Sequence, residues 1–235
     1  MISRLAAAVL ALSVALAPAS VPAKDATPVP AAAPIPLAVN ADVTQDLENI
    51  LLLDLSNGKR VAIRLMPQWA PHHVERIKEL TRRGFYDGII FHRVIDGFMA
   101  QTGDPTGTGR GGSDLPNLQA EFNAFPHVRG TVAMARASDD NSANSQFFIV
   151  FYPRFSLDRR YTNFGRVISG MDGVDAIERG EPPANPTRIL QASIAADHKP
   201  QKFPEPEATP APTLPTAITP IDLRNPMSNS AGPQH

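Results

Sequence analysis

The distribution of proline confines regular structure in this chain to its middle. Nine prolines fall within residues 199–235, nine within the far longer stretch 41–198, and the segment from Lys24 to Asn40 is again rich in proline and alanine. Proline lacks the N–H that helix interiors and strand ladders need. The two flanks also carry no apolar periodicity with which to offset the entropy of ordering. The sequence therefore predicts one domain at 41–198, a Pro/Ala-rich linker at 24–40 and a disordered Pro-rich tail at 199–235.

The first 23 residues read as a processing segment. Arg4 supplies a positive start, Leu5 to Ala17 is apolar, and small residues follow at Ala17-Pro18-Ala19 and Val21-Pro22-Ala23. This is the pattern of a secretory signal peptide, with cleavage expected after Ala23 ahead of Ala19. The apolar run falls short of the roughly 18–20 residues a spanning helix needs. A soluble periplasmic protein without stable membrane insertion is the expectation. The chain has no cysteine, which removes a lipoprotein anchor, a disulfide framework and thiolate chemistry. Its formal net charge of -1 gives no field toward nucleic acid.

Within the domain the signals are mainly strands. Ile50 to Leu55 is apolar, Asn57-Gly58 signals a type I′ hairpin, and Arg60 to Leu65 alternates. A helix is predicted from Pro71, carried by Val74, Ile77 and Leu80 and ended by Gly84. Short strands follow at Ile89–Ile95, Phe98–Gln101, Thr131–Ala135, Phe147–Phe151, Phe164–Ile168 and Arg188–Ile194, with a second helix at Asp172–Arg179. Many short strands and few helices define a closed barrel or a sandwich, and the pattern leaves both open.

Several apparent motifs carry no chemistry. The run from Gly107 to Gly112 spells G-x-G-x-x-G, but Ser113-Asp114-Leu115-Pro116 follows where a dinucleotide site needs a helix. It reads as a flexible loop. His72 and His73 are adjacent, so on a helix they point about 100° apart and do not share a metal. His92, beside Phe91, reads as a packing residue or the holder of a structural hydrogen bond. Asp139-Asp140-Asn141 lacks the rest of a calcium loop. No nucleophile elbow accompanies the serines and histidines.

Three blocks remain: Phe91-His92-Arg93-Val94-Ile95-Asp96-Gly97-Phe98-Met99-Ala100-Gln101-Thr102-Gly103-Asp104, then Met134-Ala135-Arg136 with Asn144-Ser145-Gln146-Phe147-Phe148-Ile149, then Leu157 to Gly165. Together they resemble the cyclophilin family of peptidyl-prolyl isomerases, in particular exported bacterial members, from about Asn49 to Ile194. The resemblance implies a mainly β fold, an eight-stranded antiparallel closed barrel capped by two helices, with a substrate groove on its outer face. It implies that Arg93 is the catalytic arginine and Gln101 the glutamine that contacts the substrate backbone. Phe98, Met99, Phe148 and Leu157 match the pocket for the proline ring. Gly109, Ala135, Arg136 and Gln146 match groove-lining positions. Tyr161 stands where a histidine is common, and Phe155-Ser156 where a tryptophan usually precedes the matched leucine. Because that tryptophan contacts cyclosporin, weak cyclosporin binding is expected.

These residue types suit the reaction. Rotation about an X-Pro bond breaks amide resonance against a barrier of about 18–20 kcal/mol, and no bond to hydrogen is cleaved. No metal, cofactor or acid/base pair is needed. The twisted prolyl nitrogen regains its lone pair, and a fixed donor aimed at it favours the transition state over the planar ground state. An arginine donates without deprotonating. The expected partners are unfolded or flexible X-Pro polypeptides, met by a monomer. A proline-peptide-binding chaperone with little turnover, built on the same barrel, is the competing reading.

Overall fold

The short apolar segments assemble into a single antiparallel sheet. The computed structural model describes residues 38–205. Its strands are β1 (Ile50–Leu55), β2 (Arg60–Leu65), β3 (Arg93–Ile95), β4 (Met99–Thr102), β5 (Thr131–Met134), β6 (Phe147–Val150), β7 (Asn163–Ser169) and β8 (Ile189–Ile194). They lie in the order β3-β4-β6-β5-β7-β2-β1-β8. The regular ladder ends at β3 and β8. Across that seam Gly88 N donates to Ile189 O at 2.7 Å, Phe91 N donates to Thr187 O at 2.9 Å, and Val94 and Gly180 exchange backbone bonds. The fold is thus a curled eight-stranded sheet whose seam carries isolated bridges rather than a regular strand pair. This is why the strand expected over Ile89–Ile95 shortens to Arg93–Ile95: its first half serves the seam.

The hairpin at Asn57-Gly58 forms, but not with the expected type I′ turn. Gly58 has a φ of 82° while Asn57 keeps a negative φ. Gly58 N donates to Leu55 O, and Leu55 N donates to Lys59 O, both at 2.9 Å. That is a turn over Ser56 and Asn57 followed by one left-handed residue, the three-residue hairpin loop. Only the glycine is needed in the left-handed region.

Helix α1 (Pro71–Arg82) starts at the expected proline. It ends as its glycine predicts: Phe85 N bonds Leu80 O and Gly84 N bonds Thr81 O, both at 3.0 Å, with Gly84 at φ 72°. This is the double closure of a Schellman motif. Its N-terminus has no local side-chain cap. Instead Glu121, distant in sequence, accepts the amides of His72 (3.2 Å) and His73 (3.1 Å), placing a carboxylate at the positive end of the helix. Helix α2 (Met171–Asp175) is shorter than the 172–179 expected. Ile177 turns into the core and Gly180 must pair with Val94, so the chain extends again at once. The helices pack against β8 and β2 respectively.

Alternation divides the sheet's contacts. Inward residues such as Val94, Ala100, Val132, Phe147 and Ile149 join the main core with α1. Outward residues Met99, Ala133, Phe148 and Val150 form a second, small cluster with Phe98, Ala135, Leu157 and Tyr161. At the N-terminal edge, buried Arg64 donates to the carbonyls of Asn40, Asp42, Gln45 and Asp46. At the other end Lys202 N donates to Asp54 Oδ2 at 2.7 Å, so the chain is held to the sheet slightly beyond residue 198. The expected signal peptide and most of the linker and tail lie outside the described residues. Among the described residues, no helix is long and apolar enough to cross a membrane.

Candidate active site

Strand register brings the sequence-predicted residues together. Arg93 on β3 stands opposite Gln101 on β4, and Gln101 opposite Phe148 on β6. Cross-strand partners share a face, so these three side chains form one row on the outer surface, with Met99 one step along β4. They line a cavity of about 270 Å³ with Phe98, Ala135, Arg136, Leu157 and Tyr161. The floor is apolar: Phe148 is nearly fully buried and Tyr161 meets it edge-on, ring centroids 5.6 Å apart. Gly109 and Gln146 line instead an adjoining cavity of about 550 Å³, which shares Gln101, Ala135 and Arg136 with the first.

The polar groups around this row are held in place. Arg93 Nε donates to Glu181 Oε2 at 2.7 Å, which leaves its two terminal nitrogens for other acceptors. Gln101 Nε2 donates to Gln146 Oε1 (2.9 Å), and Gln146 Nε2 donates to Gly111 O (2.7 Å) and Gly109 O (3.1 Å). The amide relay ties Gln101 to the glycine loop and fixes its orientation. Arg136 donates to Arg160 O at 3.0 Å, pairs with Asp140 at 2.8 Å and lies 4.8 Å over the Tyr161 ring. Its charge is largely committed.

The glycine run is an ordered loop rather than a flexible one. Asp104 accepts from Thr106 N (2.7 Å), Thr106 Oγ1 (2.8 Å) and Gly109 N (2.6 Å). Burial pushes the Asp104 pKa up, but hydrogen bonds from Thr106, Gly111 and Gly109 outweigh it and hold the carboxyl below its ordinary value. Gly103, at φ 88°, lies where any Cβ would stand 2.8 Å from the Gln146 Cα. That close approach seats the loop against the strand carrying Phe148.

The sequence assigns no role to several participants, although Asn144 and Asp158 lie inside its motif blocks. Glu181 reaches Arg93 from the segment after α2. Asn144 fastens the loop opposite by accepting from Ser113 N and Oγ and donating to Leu115 O. Arg154 covers the Phe98 ring at 5.0 Å. Buried His127 stacks on Phe148 and bonds Asp158 at 2.8 Å. Only contacts across the folded sheet assign them. His92 is buried and neither of its ring nitrogens has a hydrogen-bond partner among the described residues, which fits packing rather than a structural hydrogen bond.

An outward row of arginine, glutamine and phenylalanine over an apolar pocket, on a curled eight-stranded sheet, defines a protein of the cyclophilin class. Residues 51–194 match the family described as cyclophilin type peptidyl-prolyl cis-trans isomerase/CLD, and the chain belongs to it. It is 48% identical over 178 residues to a probable peptidyl-prolyl cis-trans isomerase of Brucella suis, covering 69% of this chain and 90% of that one. It is 40% identical over 128 residues to peptidyl-prolyl cis-trans isomerase B of Bacillus subtilis, covering 54% and 89%. Among solved structures, a cyclophilin from Hirschia baltica superposes with a TM-score of 0.61 at 30% identity, covering 66% of this chain and 77% of that one. A Cryptosporidium parvum cyclophilin, crystallised in the presence of the dipeptide Ala-Pro, gives 0.57 at 28% identity and covers 62% and 98%.

Proposed function

We propose that the protein accelerates cis/trans isomerisation of X-Pro bonds in exported polypeptides, with the proline ring in the pocket floored by Phe148. The observation that carries this reading is the row Arg93–Gln101–Phe148, which sets a fixed cation beside an apolar pocket sized for a small ring. In the twisted state the prolyl nitrogen accepts a hydrogen bond from a terminal nitrogen of Arg93, while Phe98, Met99 and Leu157 hold the ring. The Gln101 carbonyl oxygen and its second N–H remain for the substrate backbone. Each 1.36 kcal/mol by which these contacts favour the twisted bond is worth about tenfold in rate.

Export is supported by Arg4, the apolar run Leu5–Ala17 and the small-residue site Val21-Pro22-Ala23 that follows. Fractionation and N-terminal sequencing should find a periplasmic protein beginning at Lys24, and a cytoplasmic, uncleaved chain would refute that part. The reaction is tested by exchange NMR on an X-Pro peptide with wild type and Arg93→Ala. Arg93→Ala should lower kcat/KM by about 10- to 100-fold, the worth of one hydrogen bond from a charged donor. A wild type no faster than solvent would leave only a proline-peptide-binding module. Equal rates for the two proteins would remove Arg93 from the mechanism.

A further inference from the structure

Beyond Tyr161 the groove opens into a third cavity of about 380 Å³, lined by Phe122, Arg136, Asp140, Arg159, Arg160 and Tyr161. Arg136 and Tyr161 also line the apolar pocket, so the two cavities share a wall. The charges in this cleft are unbalanced. Its one carboxylate, Asp140, is taken by Arg136 at 2.8 Å. Arg159 and Arg160 are exposed, and among the described residues neither guanidinium has an ion-pair partner. The nearby Asp158 is occupied by His127. Arg159 also holds a φ of 58°, in the left-handed region where a side chain other than glycine is strained. That backbone carries a long cation at a position where glycine would sit more easily.

We infer that this cleft binds an acidic side chain of the substrate, close in sequence to the proline held in the neighbouring pocket. The inference rests on the isomerase reading for the place of the proline. An extended chain advances about 3.3–3.6 Å per residue, so a side chain one to three residues from the proline spans a shared wall. Phe122 offers an apolar surface for the stem of a glutamate, and Arg159 and Arg160 offer donors for its carboxylate. Arginine suits this role because its planar fork matches a carboxylate. The pairs are exposed, so their effect is modest and weakens with salt.

The test measures dissociation constants by fluorescence anisotropy, and turnover by exchange NMR, for labelled Ala-Pro-Ala peptides. The peptides carry Glu, Gln or Lys at each of the three positions on either side of the proline. At low salt, Glu at one of these positions should bind about three- to tenfold more tightly than Lys, with Gln between them. The difference should shrink at about 0.5 M salt. The double variant R159G/R160Q, in which glycine also relieves the backbone at 159, should bring the ratio close to one. Lys59→Ala, which removes a remote charge paired with Asp172, should leave it. Thermal melts of both variants establish that they fold, and the single variant Arg160→Gln gives the same readout should the double variant be unstable. Equal affinities for the three peptides at low salt would overturn the inference, as would a preference that survives in R159G/R160Q. Charge-selective binding without turnover would keep the cleft and refute the isomerase reading. Turnover without charge selectivity would do the reverse.

Discussion

Arg93 is neither buried nor isolated: its side chain is 42% exposed and that of its partner Glu181 is 51% exposed. A surface ion pair of this kind contributes little to stability, about 0–1 kcal/mol. Its significance is geometric, because holding Nε leaves both terminal nitrogens directed elsewhere. Glu181→Ala should therefore lower kcat two- to tenfold with little change in Tm or KM, since a loose guanidinium must be reoriented at each turnover. Glu181→Gln retains an acceptor for Nε and should recover most of that loss. Arg93→Lys keeps the charge but not the fork and should fall between wild type and Arg93→Ala. The rim opposite departs from the family pattern. Phe155 is 63% exposed, and Ser156 stands where the resemblance leads one to expect a tryptophan. Cyclosporin titrated by calorimetry should bind the domain only above the micromolar range.

On the scale of single elements, β6 shows most directly how fold and site are joined. Phe147 is buried inward among Tyr86 and Phe164, and its neighbour Phe148 faces the pocket. Phe147→Ala should cost about 3–5 kcal/mol of stability, read as a shift in the urea midpoint, while the folded fraction keeps its KM. Phe148→Ala should raise KM for the same peptide out of proportion to its effect on stability. Alternation along a strand sets these two side chains on opposite faces, and the family resemblance is what assigns Phe148 rather than Phe147 to the pocket. The glycine loop was not legible in the sequence. Its order comes from Asp104, whose carboxylate gathers amides that composition alone does not connect. Glu181 was invisible for a related reason, since 88 residues separate it from Arg93 and only the seam of the sheet brings them together. The type I′ assignment at Asn57 failed because one left-handed residue, not two, satisfies this hairpin.

Across the whole domain, three histidines are buried and hold pKa values below the ordinary 6.5: His73, His92 and His127. Burial is the main cause in each, and for His73 and His127 it outweighs the pull of Glu121 and Asp158 toward the charged form. The unfolded chain thus takes up protons first on acidification. Stability is full above pH 6.5 and declines as pH falls below it, by about 1.4 kcal/mol per pH unit for each histidine that stays neutral in the fold. Urea midpoints at pH 7.5 and 5.5 should show the decline, and His127→Gln should reduce its slope. A flat profile would mean that these rings protonate without unfolding.

The two sides of the sheet answer to different demands. Substitution on the inner side is tested first by whether the chain folds, and on the outer side by how fast it turns over a peptide and which peptides it serves. Arg136, Arg159 and Tyr161 stand on loops and Leu157 ends the short 3-10 helix Phe155–Leu157, all outside the main core. Replacing the exposed Arg159 leaves the inner packing untouched, so the cleft beside the pocket changes without a cost to the core. The architecture therefore makes client preference an evolvable trait, open to drift by single replacements that never pass through an unfolded ancestor.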